Sequence, residues 1–197
     1  PISFGSYSLY FVNGNFGFDY GQSKRNVCSS LGLANSWHFI TAVFSQGNSL
    51  NEKMYIDGVE QTLSLIGSAG PSYGTYGSMI IGKWYAGLYF SERLDNIEVW
   101  EGALSQQEIN NYMNCSATGL EPDLLAYWNF EDNTNPNIAL DVSGNGNNGT
   151  INGATYNTNV PSQSCQLTNA NGCDSTVVLN LTINNSVTTS NSQSVCS

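Results

Sequence analysis

The sequence predicts an all-β fold: two antiparallel sheets packed face to face as a jelly-roll sandwich, with one short helix. Three observations predict it. Apolar residues recur with a period of two along most of the chain. Asn13-Gly14 and Asp57-Gly58 stand between apolar runs, and such pairs supply the positive φ angles of tight hairpin turns. Strand-like runs return every ~8–12 residues with Gly and Asn between them, the spacing of a sandwich.

The elements follow in order. Tyr7 to Val12 reads as a strand, Asn13-Gly14 as its turn, and Asn15 to Tyr20 as the return. Trp37 to Phe44 is apolar on both faces, as a strand between two layers should be. Lys53 to Ile56 meets Asp57-Gly58, and Val59 to Ile66 leads back. A Gly/Tyr/Ser/Pro loop spans Ser68 to Ser78, before short strands at Met79 to Gly82, Leu94 to Trp100 and Leu125 to Phe130. Ser105, with Glu108 three residues on and Leu104 and Ile109 flanking, is a capping box with a hydrophobic staple. It predicts a helix from about Gln106 to Met113. Ile138 to Val142 and Thr150 to Tyr156 are strand-like pieces in a turn-rich stretch. After Pro161 the character shifts. Ser175 to Ile183 alternates as one strand, and Ser186 to Ser194 is Ser/Thr/Asn low complexity. The expected organisation is one sandwich over residues 1–163, then a linker or the start of a neighbouring repeat over 164–197.

Polarity comes from amides and hydroxyls more than from charge. Charged residues make up 10% of the 197, against 26 Asn, where ordinary soluble domains carry ~25% charged. The formal charge is −10, with five Lys+Arg. Nucleic-acid binding is therefore excluded as an expectation, because phosphate neutralisation needs a basic face. Docking on anionic lipid is disfavoured for the same reason. No apolar run approaches the ~20 residues of a membrane span, so no membrane insertion is expected. The chain opens at Pro1 already running into a strand pattern and reads as a piece of something longer.

Cysteines stand at 28, 115, 165, 173 and 196, without Cys-x-x-Cys spacing, and His38 is the only histidine. A zinc site of the Cys/His type is not expected. Clustered cysteines, few lysines and four N-x-S/T sequons favour an exported protein, secreted or at the cell surface, with one or two disulfides. Cys115 with Cys165 and Cys173 with Cys196 is one pairing among several. Cys28, beside Lys24 and Arg25, is the cysteine whose thiol those charges could activate, yet no His or Asn partner is evident for it. His38 reads as a packed strand residue.

Several motifs occur in a set order: Trp37-His38-Phe39, Tyr55-Ile56-Asp57-Gly58, Leu94-Asp95-Asn96-Ile97-Glu98-Val99-Trp100, and Ala103-Leu104-Ser105-Gln106-Gln107-Glu108-Ile109. In this order they resemble the laminin G-like, pentraxin-like branch of the concanavalin A-like lectin/glucanase superfamily, over about residues 7–113. Leu125 to Glu131 with Asp141 to Thr150 resembles the segment that opens such domains. Here it follows the helix, and it is expected to close the same sandwich over 124–157. Residues from Asn171 onward are similar to repeats in large secreted bacterial surface proteins.

The resemblance implies a structural Ca²⁺ held by Asp95 together with Asp141 and the Asn145/Asn147 loop. Strand parity agrees on Asp95, which shares a face with Ile97 and Val99. The alternative is that Asp95 caps a turn by accepting backbone N–H groups. Tyr73, Tyr76, Trp84, Tyr85 and Tyr89 lie in two loops around Met79 to Gly82. Exposed aromatic faces among amides are the usual means of gripping sugars, and packing on the sandwich edge is the alternative. Glu92 and Glu98 share parity but stand six residues apart, about 20 Å on an extended strand, too far for a retaining or inverting carboxylate pair. The expected function is a non-catalytic binding or adhesion module with no enzymatic activity. Its ligand is a glycan or other surface ligand, and its partners include neighbouring domains of the parent chain. A structural spacer or protein-interaction domain is the first alternative, and a polysaccharide-degrading enzyme the second.

Overall fold

The computed structural model describes residues 2–4, 7–12, 14–19, 25–44, 51–67, 79–84, 88–161, 167–168 and 174–175. Strands β1 (Ile2–Phe4), β2 (Tyr7–Val12), β3 (Asn15–Asp19) and β4 (Arg25–Ser29) form consecutive antiparallel neighbours. Gly14 takes φ +76 at the β2–β3 turn. β5 (Ile40–Val43), β6 (Lys53–Ile56) and β7 (Val59–Glu60) form a second, three-stranded sheet. Asp57 (φ +50) and Gly58 (φ +75) make the turn between β6 and β7, the two-residue geometry that matches strand twist.

The chain then changes sheet. β8 (Ser64–Ile66) pairs with β4, not with β6, and so extends the first sheet. β9 (Ile80–Ile81) pairs with β1 on the opposite side. The first sheet thus has six strands in the order β8-β4-β3-β2-β1-β9. The expected single return strand over Val59 to Ile66 is in fact two strands in two sheets. β10 (Lys83–Trp84) and β11 (Leu88–Tyr89) form a small hairpin. β12 (Ile97–Trp100) pairs with β13 (Leu124–Trp128) across helix α1 (Gln106–Asn114). Two-residue ladders β14 (Ile138–Ala139) with β15 (Gly149–Thr150), and β16 (Leu167–Thr168) with β17 (Asp174–Ser175), complete the described strands. The strand expected over Ser175 to Ile183 lies outside the described residues beyond Ser175.

The sheets meet through their apolar faces. Phe16, Phe18 and Cys28 of the six-stranded sheet pack with Met54 and Ile56 of the three-stranded one, and Leu9, Ile40 and Ala42 join them. Phe44 meets the Phe18 ring edge-on at 4.9 Å. A second cluster joins β9 to the β12–β13 pair, with Ile81 and Met79 against Ala126, Trp128, Ile97 and Val99. Those shared interiors make this an antiparallel β-sandwich with a single short helix among the described residues.

The helix forms as its sequence dictates. Glu108 N–H donates to Ser105 Oγ at 3.3 Å, and Ser105 N–H donates to Glu108 Oε2 at 2.7 Å. Gln106 Nε2 donates to the Gly58 carbonyl at 2.6 Å, which seats the helix on the β6–β7 turn.

One expectation is corrected here. β5 begins at Ile40, so Trp37, His38 and Phe39 precede the strand and His38 is not a packed strand residue. Its ring bonds instead to Asp57 across the turn. Cys28 is a buried free thiol whose Sγ lies 3.4 Å from the Phe16 carbonyl oxygen. Burial pushes that thiol up, despite its backbone hydrogen bond, so it is not activated.

Candidate functional site

Aromatic side chains gather where the β2–β3 hairpin meets the β10–β11 hairpin. Phe11 stands opposite Phe16, and their rings stack at 4.3 Å. Phe16 is buried in the core, whereas Phe11 is 48% exposed. Phe11 and Phe90 lie nearly parallel, 8° apart in plane and 6.4 Å between centroids. Phe90 is fixed by its N–H, which donates to the Gly82 carbonyl at 2.8 Å. Tyr89 pairs with Lys83 across the small hairpin and is 66% exposed. The Lys83 ammonium sits 5.6 Å from the Tyr89 ring centroid, a cation–π distance.

Of the five aromatics expected to grip a ligand, Tyr89 is the one whose side chain is described. Trp84 enters the β10–β11 ladder opposite Leu88. Tyr73, Tyr76 and Tyr85 lie outside the described residues. Sequence reasoning missed Phe11 and Phe90. Parity offered a signal for Phe11, because it continues the file of Leu9 to the last turn of the hairpin, where a sandwich runs out of cover.

Asp95 is held at the entrance to β12. Asn96 takes φ +48, so strict alternation starts only at Ile97 and parity does not fix the Asp95 side chain. Asp95 is half-buried, and Asn96 Nδ2 donates to its Oδ2 at 3.2 Å. Burial pushes its carboxyl up, a backbone hydrogen bond from Asn96 pulls it down, and the Glu131 charge pushes it up again. The Tyr127 hydroxyl donates to Asn96 Oδ1 at 2.7 Å, which ties this corner to β13. Glu98 is spent internally. Its Oε1 accepts from the Ala117 N–H and its Oε2 from Trp100 Nε1. Glu92 is exposed.

The loop after β14 does the work of a strand. Along its open edge, β13 offers the Tyr127 N–H and the carbonyls of Tyr127 and Leu125. Asp141 Oδ1 accepts the Tyr127 N–H at 3.0 Å, and the Val142 N–H donates to the Tyr127 carbonyl at 2.8 Å. Ser143 Oγ, Asn145 Nδ2 and Asn147 Nδ2 all reach the Leu125 carbonyl, at 3.4, 3.2 and 2.9 Å. Asp141 also organises the loop itself. Its Oδ1 accepts from Ser143 N–H and Oγ, and its Oδ2 from the Asn147 N–H at 2.8 Å. Burial opposes ionisation of Asp141, but the hydrogen bonds from Ser143, Tyr127 and Asn147 outweigh it and hold the carboxyl below its usual range.

That donor set bears on calcium. A hard cation needs free oxygen lone pairs from several groups. The two Asp141 oxygens face four N–H or O–H donors, and the amides of Asn145 and Asn147 point their nitrogens at β13 carbonyls. Among the described residues no group of three or more His, Cys, Asp or Glu side chains is placed to share an ion. As placed, Asp141, Asn145 and Asn147 spend these groups on the β13 edge.

Cys115 is the helix C-cap, and its N–H donates to the Asn111 carbonyl at 2.9 Å. Cys165, Cys173 and Cys196 lie outside the described residues. Among the described residues no helix is long and apolar enough to cross a membrane.

No curated protein and no solved structure matches the chain. A laminin G family model, described as concanavalin A-like lectin/glucanases superfamily, matches residues 3–110. That match covers β1 through most of α1, including both sheets and the aromatic rim. With the sandwich, its hairpins and its capped helix in place, the chain belongs to the laminin G-like family of the concanavalin A-like lectin/glucanase superfamily.

Proposed function

We propose that this domain is a binding or adhesion module of an exported protein that holds a glycan on its aromatic rim without cleaving glycosidic bonds. The near-parallel Phe11 and Phe90 rings beside the exposed Tyr89 carry the reading. Flat apolar faces stack on the C–H faces of pyranose rings, and nearby amides serve hydroxyl groups. Trp84, Tyr73, Tyr76 and Tyr85 belong to the same proposal as further ligand contacts. The internal commitment of Glu98 supports a module that does not hydrolyse its glycan.

The domain itself runs over 1–163 in this reading, closed by 124–157, and the β12–β13 ladder supports that closure. Disulfides Cys115–Cys165 and Cys173–Cys196 belong to the same proposal, as does the extracellular location. Hydrogen-bond donors brace the loop at Asp141.

A glycan array probed with and without EDTA tests the module. Binding that survives EDTA and is lost in Tyr89→Ala and Phe11→Ala supports it. An array with no binder leaves the spacer reading, and unchanged affinity in both variants removes the rim as the platform.

A further inference from the structure

Asp57 does more than turn a hairpin. Its left-handed backbone and the following Gly58 fix the carboxylate at the β6–β7 corner. There Oδ1 accepts the Phe39 N–H at 2.9 Å and Oδ2 meets His38 Nδ1 at 2.7 Å. A carboxylate on Nδ1 places the ring proton on that nitrogen. His38 Nε2 is then the acceptor, and it lies 2.9 Å from Ser36 Oγ. The imidazole is mostly covered, with 19% of its side-chain surface open, so it is held in one orientation. Ser36 is exposed, just past Asn35, whose φ of +66 turns the chain into it. Order, atoms and distances are those of a nucleophile, a base and the group that orients the base.

We propose that Ser36, His38 and Asp57 form an acyl-transfer site that takes small activated esters. Ser36 Oγ bonds to the acyl carbon while its proton passes to His38 Nε2. The bond from that carbon to the leaving oxygen breaks, and Nε2 returns the proton to the departing alcohol. Water then attacks the acyl-Ser36 ester and gives its proton to Nε2. The carboxylic acid leaves as Ser36 Oγ recovers that proton. Ser36 and His38 touch the reacting atoms, and Asp57 positions the ring. Because Ser36 is open to water, solvent stabilises the oxyanion, and the site suits esters with good leaving groups. It is separate from the aromatic rim and does not depend on glycan binding.

The test uses the full chain with a fluorophosphonate probe and 4-nitrophenyl acetate. The expected result is a probe adduct mapped to Ser36 by mass spectrometry, with ester hydrolysis falling about 100-fold in Ser36→Ala. Ser36 is exposed, so that variant keeps the circular dichroism and melting temperature of the parent. Asp57→Asn still offers an acceptor to the Phe39 N–H but presents an altered group to Nδ1. It is expected to slow labelling and change its pH profile at an unchanged melting temperature. An adduct absent from Ser36, or Ser36→Ala hydrolysing the ester as fast as the parent, overturns the proposal.

Discussion

Asp141 accepts the backbone N–H of Tyr127 at 3.0 Å, so a side chain occupies the place where a neighbouring strand would pair. Three further donors converge on the same carboxylate. Asp141→Ala leaves the Tyr127, Ser143 and Asn147 N–H groups without this acceptor. The expected loss is about 2–3 kcal/mol in a urea titration. Asn at this position keeps an acceptor and should lose less. Equal stability of Asp141→Ala and the parent would show that the loop does not hold the edge.

Because hydrogen bonds depress the Asp141 carboxyl in the fold, its contribution is present above the unfolded value and lost as pH falls through the folded one. Thermal unfolding below pH 4 is the measurement. Asp141→Asn should flatten part of the acid limb that the parent shows.

Glu52 acts with the opposite sign. It is 6% exposed, takes the Asn26 amide N–H at 2.9 Å on Oε2, and leaves Oε1 buried without a hydrogen-bond partner. Burial pushes its carboxyl up to about 8. The fold therefore holds the proton more tightly than the unfolded chain does. Its stabilising effect is complete below about 4.5 and is lost as pH rises through about 8. The expected outcome is a melting temperature that falls between pH 5 and pH 9 in the parent and stays flatter in Glu52→Gln. Parallel profiles for the two proteins would contradict this.

Gly17 pairs with Val27 of the neighbouring β4, and any side chain there clashes with the Asn26 carbonyl oxygen and the Val27 backbone. Gly17→Ala should cost about 3 kcal/mol or give insoluble protein. The same change at Gly14, where an added Cβ would meet nothing within 4 Å beyond its chain neighbours, causes no clash but strains a φ of +76. A melting temperature for Gly17→Ala within a degree of the parent would refute the close approach.

Ser105→Ala removes one half of the capping box and leaves the Glu108 N–H without its acceptor. About 1 kcal/mol of stability should go with it, read as a shift in the urea midpoint. Because the helix is seated on Gly58 through Gln106, the loss should appear in the global transition and not as helix fraying alone.

The features legible in the sequence are local ones. Asn13-Gly14 and Asp57-Gly58 announce their hairpins because few other pairs tolerate positive φ in succession. Ser105 and Glu108 announce the helix because two side chains complete a capping box unaided. The features missed depend on partners far along the chain. Val59 to Ile66 reads as one strand, and the break at Gln61 is visible only once β4 is seen to accept β8. Asp141 looks like a cation ligand because a carboxylate among glycines and amides suits either an ion or a row of donors. The open edge of β13 and the loop itself supply that row of donors. The Ser36–His38–Asp57 alignment was hidden for a related reason: Asp57 lies 19 residues beyond His38, and its reading as a turn residue concealed which way its carboxylate faces.

The fringe of side chains along β13 has a consequence for solubility. An unsealed strand recruits other chains, and adding one more strand merely moves the vulnerable border outward. Asp141, Ser143, Asn145 and Asn147 end the sheet without creating a successor. Copies of this domain held side by side on a crowded surface would find no backbone there to knit onto.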